Sequence, residues 1–292
     1  MKQSFRDSLH MSKANVERLH IINAIIDEYA ADDYVLTLRQ LYYQLVSRDI
    51  IPNQQKEYAK LSDLLVKGRM AGVVDWDAIE DRVRVPHIPY SVRDKQHALQ
   101  DTIDQYRLNR MEGQENYIEL WVEKDALSGV LSRVTEEYHI RLMVNRGYSS
   151  CSAMHDSAMR FLRAERNDQK GTILYLGDHD PSGLDMIRDV AERMAEFGVT
   201  VDVHHIGLTS AQIQKYDPPP NPAKFSDPRA GWYVREHGKV SWEVDALPPK
   251  VLNALVKKEV EERIDMKLFN KQVALEEEDK ETLQEVANNF ES

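Results

Sequence analysis

Two short stretches carry residues able to do metal chemistry: WVEKDA, with Glu123, and LYLGDHDPSG, with Asp178 and Asp180. Each follows a run that reads as a β-strand. In an open parallel sheet, ligands bind beyond the carboxyl ends of the strands, so neighbouring strands would bring these three carboxylates together. Such a cluster needs compensating positive charge to stay ionised, and an all-oxygen donor set favours Mg²⁺, with Mn²⁺ an alternative, over zinc. The ion would polarise a phosphodiester and stabilise an attacking or leaving oxygen. A plainer reading stays open, in which Asp178 caps the next helix in a surface turn and VEKDA is an ordinary helix start. Lys124 either approaches a phosphate or balances the carboxylates. Asp185 is either a further acidic neighbour or, more simply, part of a solvated helix face, and Glu243 is either functional or, more simply, a carboxylate at a helix N-terminus.

A second constellation lies near the start of the chain, in TLRQLYYQL. On a helix, Leu38, Leu41, Tyr42 and Leu45 form the apolar stripe. Tyr43 stands about 100° from Tyr42 and shares a face with Arg39, four residues earlier. A phenol beside a guanidinium suits attack on a phosphodiester, because tyrosine can form a phosphotyrosyl bond while arginine holds the nonbridging oxygens. Tyr42 fits the core better than the chemistry.

The elements that must position these groups fall into two patterns. Helical spacing runs from about Asn15 to Tyr29 through Val16, Leu19, Ile22 and Ile26. Thr37 then reads as the N-cap of LRQLYYQLVSRD. A third helix is expected from Glu57 to Met70, ending near Gly72, and Arg82 to Val85 reads as a short strand closed by Pro86. This order resembles a winged helix-turn-helix, in which Lys56, Lys60, Lys67 and Arg69 on the third helix and Arg82 and Arg84 on the wing either follow a DNA backbone or are solvated surface charges. A polar, helical connection spans Pro86 to Gly113. From Tyr117 the chain alternates strand and helix through YIELWV, DALSGVLSRVTEEY, IRLMV, a helix to Arg166, GTILYLG, a helix from Gly183 to Phe197, and VTVDVHHIG, which argues for a parallel sheet covered by helices. PPPNPAKFSDPRAGWYVREHG reads as a long loop, and VLNALVKKEVEERIDMKL as helix. The expected division is therefore a mainly α winged-helix domain over residues 1–112, an α/β metal-binding domain over 113–270 and an acidic, solvated helix over 271–292.

Charge and composition narrow the possibilities. The formal net charge is −11, yet residues 1–110 balance 16 basic against 16 acidic residues, so the excess acid lies beyond them. That balance opposes avid nonspecific DNA binding and leaves room for a local basic strip or a bound cation facing phosphates. The single cysteine, Cys151, excludes an internal disulfide framework and a cysteine-rich zinc site. His179 and the pair His204–His205 fit no metal-ligand spacing and read as structural. No GxxxxGK[ST] motif is present, so any ATP-driven step would need a separate ATPase subunit. With no apolar run near the roughly 20 residues of a membrane span and no secretory signal, a cytoplasmic protein without membrane contact is expected.

VEKDALSGVL, NRGYSSCSAM and GDHDPSGLDM, in that order, resemble successive motifs of the Toprim fold and, more narrowly, of the A subunit of topoisomerase VI and the related meiotic break-forming transesterase. Gly147-Tyr148 and Asp180-Pro181-x-Gly183 are the most specific pieces. TLRQLYYQL is similar to the family's catalytic motif, an arginine followed by two aromatics of which the second is the nucleophile. The likeness spans roughly residues 35 to 265. It implies an α/β Toprim domain preceded by a winged helix, Mg²⁺ held by Glu123, Asp178 and Asp180, and Tyr43 attacking double-stranded DNA with Arg39 and Glu123 assisting. It further implies a homodimer in which the tyrosine of one copy meets the metal of the other, leaving protein on a 5′ end. The chain is shorter than the usual A subunit, and the loop with Lys224, Asp227 and Arg229, followed by SWEVDALPP, departs from the family pattern. Two other readings remain: a Toprim nuclease that activates water, and a noncatalytic DNA-binding or regulatory protein. An aspartyl-phosphate phosphatase is disfavoured, because the further motifs of that chemistry are missing.

Overall fold

The computed structural model describes residues 2, 4–5, 11–80, 89–145, 149–222 and 229–289. Helix α1 (Lys13–Ala31) buries Leu19, Ile22, Ile25, Ile26 and Tyr29 at helical spacing; Val16, expected on that stripe, faces solvent. The chain then makes a two-residue strand, β1 (Leu36–Thr37), and enters α2 (Leu38–Ser47). Thr37 caps this helix as its sequence predicts, its hydroxyl accepting from Gln40 N–H while the Gln40 side chain accepts from Thr37 N–H. Helix α3 (Gln55–Met70) closes a three-helix core with α1 and α2, built on Leu19, Leu41, Leu45, Leu61 and Leu65. After it, β2 (Ile79–Glu80) pairs in parallel with β1. The wing strand expected over Arg82–Val85 lies outside the described residues, as do Gly147, Tyr148, Lys224 and Asp227. Of the basic residues expected to face DNA, Arg69 is turned inward, donating to the carbonyls of Trp76 and Ile79 and lying over the Trp76 ring, where it braces the α3–β2 turn. Lys60 pairs with Glu57 of its own helix.

Helix α4 (Lys95–Gln105) leads to a strand and helix alternation: β3 (Asn116–Val122), α5 (Ser128–Tyr138), β4 (Arg141–Val144), α6 (Cys151–Glu165), β5 (Lys170–Leu176), α7 (Pro181–Glu196) and β6 (Val201–Gly207). The strands form a four-stranded parallel sheet in the order β4-β3-β5-β6. The molecule is thus mixed α/β, with a parallel sheet flanked by helices. Strand periodicity sorts the side chains. Leu120, Val122, Leu174 and Leu176 pack on one face with α5 and α10 (Pro249–Glu261), while Trp121, Ile173 and Tyr175 pack on the other with Phe161 of α6 and Val190 of α7. Glu119, fully buried on that second face, is saturated by Arg160, Tyr117 Oη and Trp121 Nε1.

Three stretches differ from the sequence reading. The proline-rich run expected to be one loop follows a short helix, α8 (Ser210–Tyr216), and contains β7 (Asn221–Pro222) and a helix, α9 (Ala230–His237), before β8 (Val240–Ser241) pairs antiparallel with β7. Tyr233 anchors α9, because its fully buried hydroxyl bonds to the carbonyls of His179 and Val240. The helical run after Val251 is broken at residues 262–265, where Asp265 caps α11 (Met266–Asn289) by accepting from Lys267 and Leu268 N–H. Finally, α11 is not solvated all round. It packs on α4, and its Glu276 is 1% exposed, bonded to Arg110, Lys280 and Leu108 N–H.

Burial works against the Glu276 charge, but those donors outweigh it and hold its carboxyl down at about 2, against an ordinary 4.5. Its contribution to stability should therefore be complete above pH 4.5 and vanish as the pH falls towards 2. Thermal melts across that window should show a loss that Glu276→Gln no longer displays.

Candidate functional site

The site forms where β3 and β5 end side by side. Val122 is level with Leu176, and Glu123 N–H continues the ladder by donating to Leu176 O at 3.1 Å. Two residues past the end of β5, the backbone N–H of Asp178 donates to Glu123 Oε2 at 3.2 Å. The two residues expected to converge from neighbouring strands therefore do so. Asp180 caps the helix that follows. Its Oδ1 accepts from Gly183 N–H at 2.7 Å and from the Ser182 hydroxyl, making it the N-cap of α7, with Pro181 in the helix's first position. The cap that the sequence assigned to Asp178 thus belongs to Asp180, two residues later.

A long-range bridge completes the site. His179 and Trp242 exchange backbone hydrogen bonds of 2.9 and 3.1 Å, pinning the segment after β8 against the turn after β5. His179 is itself buried and fixed by Tyr233 Oη and Ser210 Oγ, a structural histidine as its position suggested. Immediately beyond the bridge, Val244 N–H donates to Asp178 Oδ1 at 3.0 Å, and the 3₁₀ turn Val244–Ala246 carries Asp245 inward. Asp178, Glu243 and Asp245 each offer an oxygen within 4.8 Å of the others. This acidic triad could hold a metal ion. Sequence reasoning does not reach two of its members as ligands: Glu243 reads as a helix-terminal carboxylate, but it makes no capping bond and turns to the cluster instead. The available signal is a Glu-x-Asp pair just before Pro248-Pro249.

Two cations face the carboxylates. Lys124 Nζ lies 2.8 Å from Asp178, 2.6 Å from Glu243 and 2.9 Å from Asp245, so it balances the carboxylates rather than standing free for a phosphate. Arg39, from α2 in the helical unit, reaches the same turn: its Nε donates to Asp245 at 2.5 Å and its Nη2 pairs with Glu243. Burial opposes the charge on Asp245, but Lys124 and Arg39 outweigh it and keep its carboxyl below the ordinary range. Asp178 is pushed up by burial and by Asp245, despite Lys124. Glu123 rises to about 7 through burial and the neighbouring Asp178 and Asp180. Both carboxyls are raised first by burial and then by neighbouring carboxylates, and the donors are all hard oxygens, the set that a hard divalent cation prefers.

Arg39 also ties in the tyrosine. Its Nη2 lies 3.5 Å from Tyr43 Oη, and its guanidinium sits over the Tyr43 ring at 5.6 Å. Tyr43 is 4% exposed, as buried as its neighbour Tyr42, and burial and Asp245 raise its phenol above the ordinary value against the pull of Arg39, Asn221 and Lys124. Both tyrosines border a cleft of about 480 Å³ together with Arg39, Asn53, Gln55, Tyr58 and Glu243. Asp185, read as a solvated helix face, pairs with Arg188 and Arg229.

No protein-family model, no characterised protein and no solved structure matches the chain. Among the described residues, no helix is long and apolar enough to cross a membrane.

Proposed function

We propose that this chain is a divalent-metal-dependent DNA-cleaving enzyme of the Toprim type, with Tyr43 as the nucleophile of a transesterification and a winged-helix unit carrying it. One observation supports this reading above the others: Arg39 bridges the Tyr43 hydroxyl and the carboxylates Glu243 and Asp245, so phenol, guanidinium and acidic cluster form one site. Asp178, Glu243 and Asp245, with Glu123 beside them, would hold Mg²⁺ or Mn²⁺, and the bound ion would supply Lewis-acid polarisation of a phosphodiester. Arg39 is the group suited to grip nonbridging phosphate oxygens, because its planar fork matches them. Attack by Tyr43 forms the Oη–P bond and breaks the P–O3′ bond; the phenol gives up its proton and the 3′ oxygen leaves as a hydroxyl, so the exchange needs no co-reactant. The 5′ end stays attached to Tyr43. Because Tyr43 adjoins the carboxylates of its own chain, a homodimer is not needed to assemble these groups, and it is proposed on the family likeness alone, as is an ATPase partner.

A second reading follows from the burial of Tyr43. A phenol with a raised pKa and little exposure is poorly placed to attack, which favours a nuclease whose metal activates water. Incubating the protein with supercoiled DNA and Mg²⁺ or Mn²⁺, then denaturing with and without protease, separates the two. Protein-linked breaks that Tyr43→Phe abolishes are the expected result; free ends made equally well by Tyr43→Phe would establish the water mechanism.

A further inference from the structure

The cation at the centre of the acidic triad is one the chain supplies itself. An ammonium has three N–H donors, and Lys124 directs them at three carboxylates, Asp178, Glu243 and Asp245, at 2.6 to 2.9 Å. These are the same three residues whose oxygens lie close enough together to hold an ion. The ammonium and a divalent ion draw on the same three carboxylates, and their mutual repulsion opposes joint occupancy. Arg39 is not the group in the ion's place: it reaches only Glu243 and Asp245 and lies over Tyr43, whereas Lys124 contacts all three carboxylates and is a point charge on a flexible four-carbon stem.

We propose that Lys124 is the resident counter-ion of this site and that a divalent cation takes its place among Asp178, Glu243 and Asp245, releasing the ammonium for an anionic substrate. The inference rests on the metal-site reading above, and gives it a regulatory consequence. Without metal the carboxylates are kept together by Lys124, so the site is assembled but closed to substrate phosphate. With metal the chain gains a free cation beside the paired Arg39. Neutralising Lys124 removes the competitor, so Lys124→Met should bind the ion more tightly and depend on it more for stability.

The wild-type chain tests this directly. Acetylation of lysines by an amine-reactive ester, followed by peptide mass spectrometry, is compared with and without Mn²⁺, whose binding is read independently by electron paramagnetic resonance. Lys258, 67% exposed and paired with Glu262 on the far part of its helix, serves as the internal standard. The expected result is at least a fivefold rise in Lys124 acetylation on Mn²⁺ binding with Lys258 unchanged, and at least tenfold tighter Mn²⁺ binding by Lys124→Met. Bound Mn²⁺ with Lys124 still protected would overturn the displacement while leaving the metal site standing. Absence of Mn²⁺ binding by both proteins would overturn the metal site itself, and this inference with it.

Discussion

Asp178→Asn is expected to lower Mg²⁺-dependent DNA cleavage by at least roughly 10³-fold while leaving the fold in place. The substitution is nearly isosteric. An asparagine oxygen can still accept from Val244 N–H, which Asp178 Oδ1 does at 3.0 Å, so the turn that carries Asp245 keeps its anchor. What disappears is the negative charge shared with Glu243 and Asp245. Two companion variants make the result decisive. Glu243→Gln should fail equally, because Glu243 belongs to the triad. Asp180→Asn should retain most activity, because Asp180 acts as a helix cap and asparagine caps as well as aspartate. The reverse pattern in cleavage assays, with Asp180→Asn dead and Glu243→Gln active, would move the ligand set to Glu123, Asp178 and Asp180.

Gly183→Ala is expected to cost about 3 kcal/mol of stability and lower the melting temperature by roughly 6–12 °C. The reason is close approach of backbone. A Cβ at residue 183 would lie 2.2 Å from the carbonyl oxygen of Asp178 and 3.0 Å from its carbonyl carbon. Neither atom can swing aside as a side chain would, because Asp178 is fixed through its N–H to Glu123 and through its carboxylate to Val244. Relief must therefore come from opening the turn between β5 and α7, which would also shift Asp178 away from Glu243. A calorimetric melt checks the stability, and Mn²⁺ binding to whatever fraction stays folded checks the displacement. A melt within a degree of the parent would show that the turn is softer than its contacts indicate.

Much of this architecture was legible because it is local. Thr37 followed by Gln40 three residues later is a capping box in sequence and in space. The apolar runs YIELWV and GTILYLG, set in a strand and helix alternation, read as strands, and the residues that follow them, Glu123 and Asp178, met as expected. What stayed hidden is nonlocal. Glu243 and Asp245 reach Asp178 only because Trp242 bridges His179, a pairing that no periodicity announces. Helix α9 was obscured by the turn-forming residues ahead of it, and the buried hydroxyl of Tyr233 anchors it. The helical period placed Arg39 and Tyr43 on one face, but their burial follows from the Val244–Ala246 turn docking there, and Ala246 even joins the helical unit's core.

Asp245 sits at a seam as well as in a site. It is the residue through which Arg39 fastens the helical unit to the sheet, alongside contacts such as Asn53 with Asn221 and Arg133 with the carbonyls of Asp32 and Asp33. An ion that draws on the Asp245 carboxylate therefore weakens one rivet of that seam. Thermodynamic reciprocity then requires that whatever pries the two units apart must change the affinity for the ion by the same factor. A ligand wedged against α2 would in this way tune the charge at the end of β5, making the joint between the units a sensor of occupancy on either side.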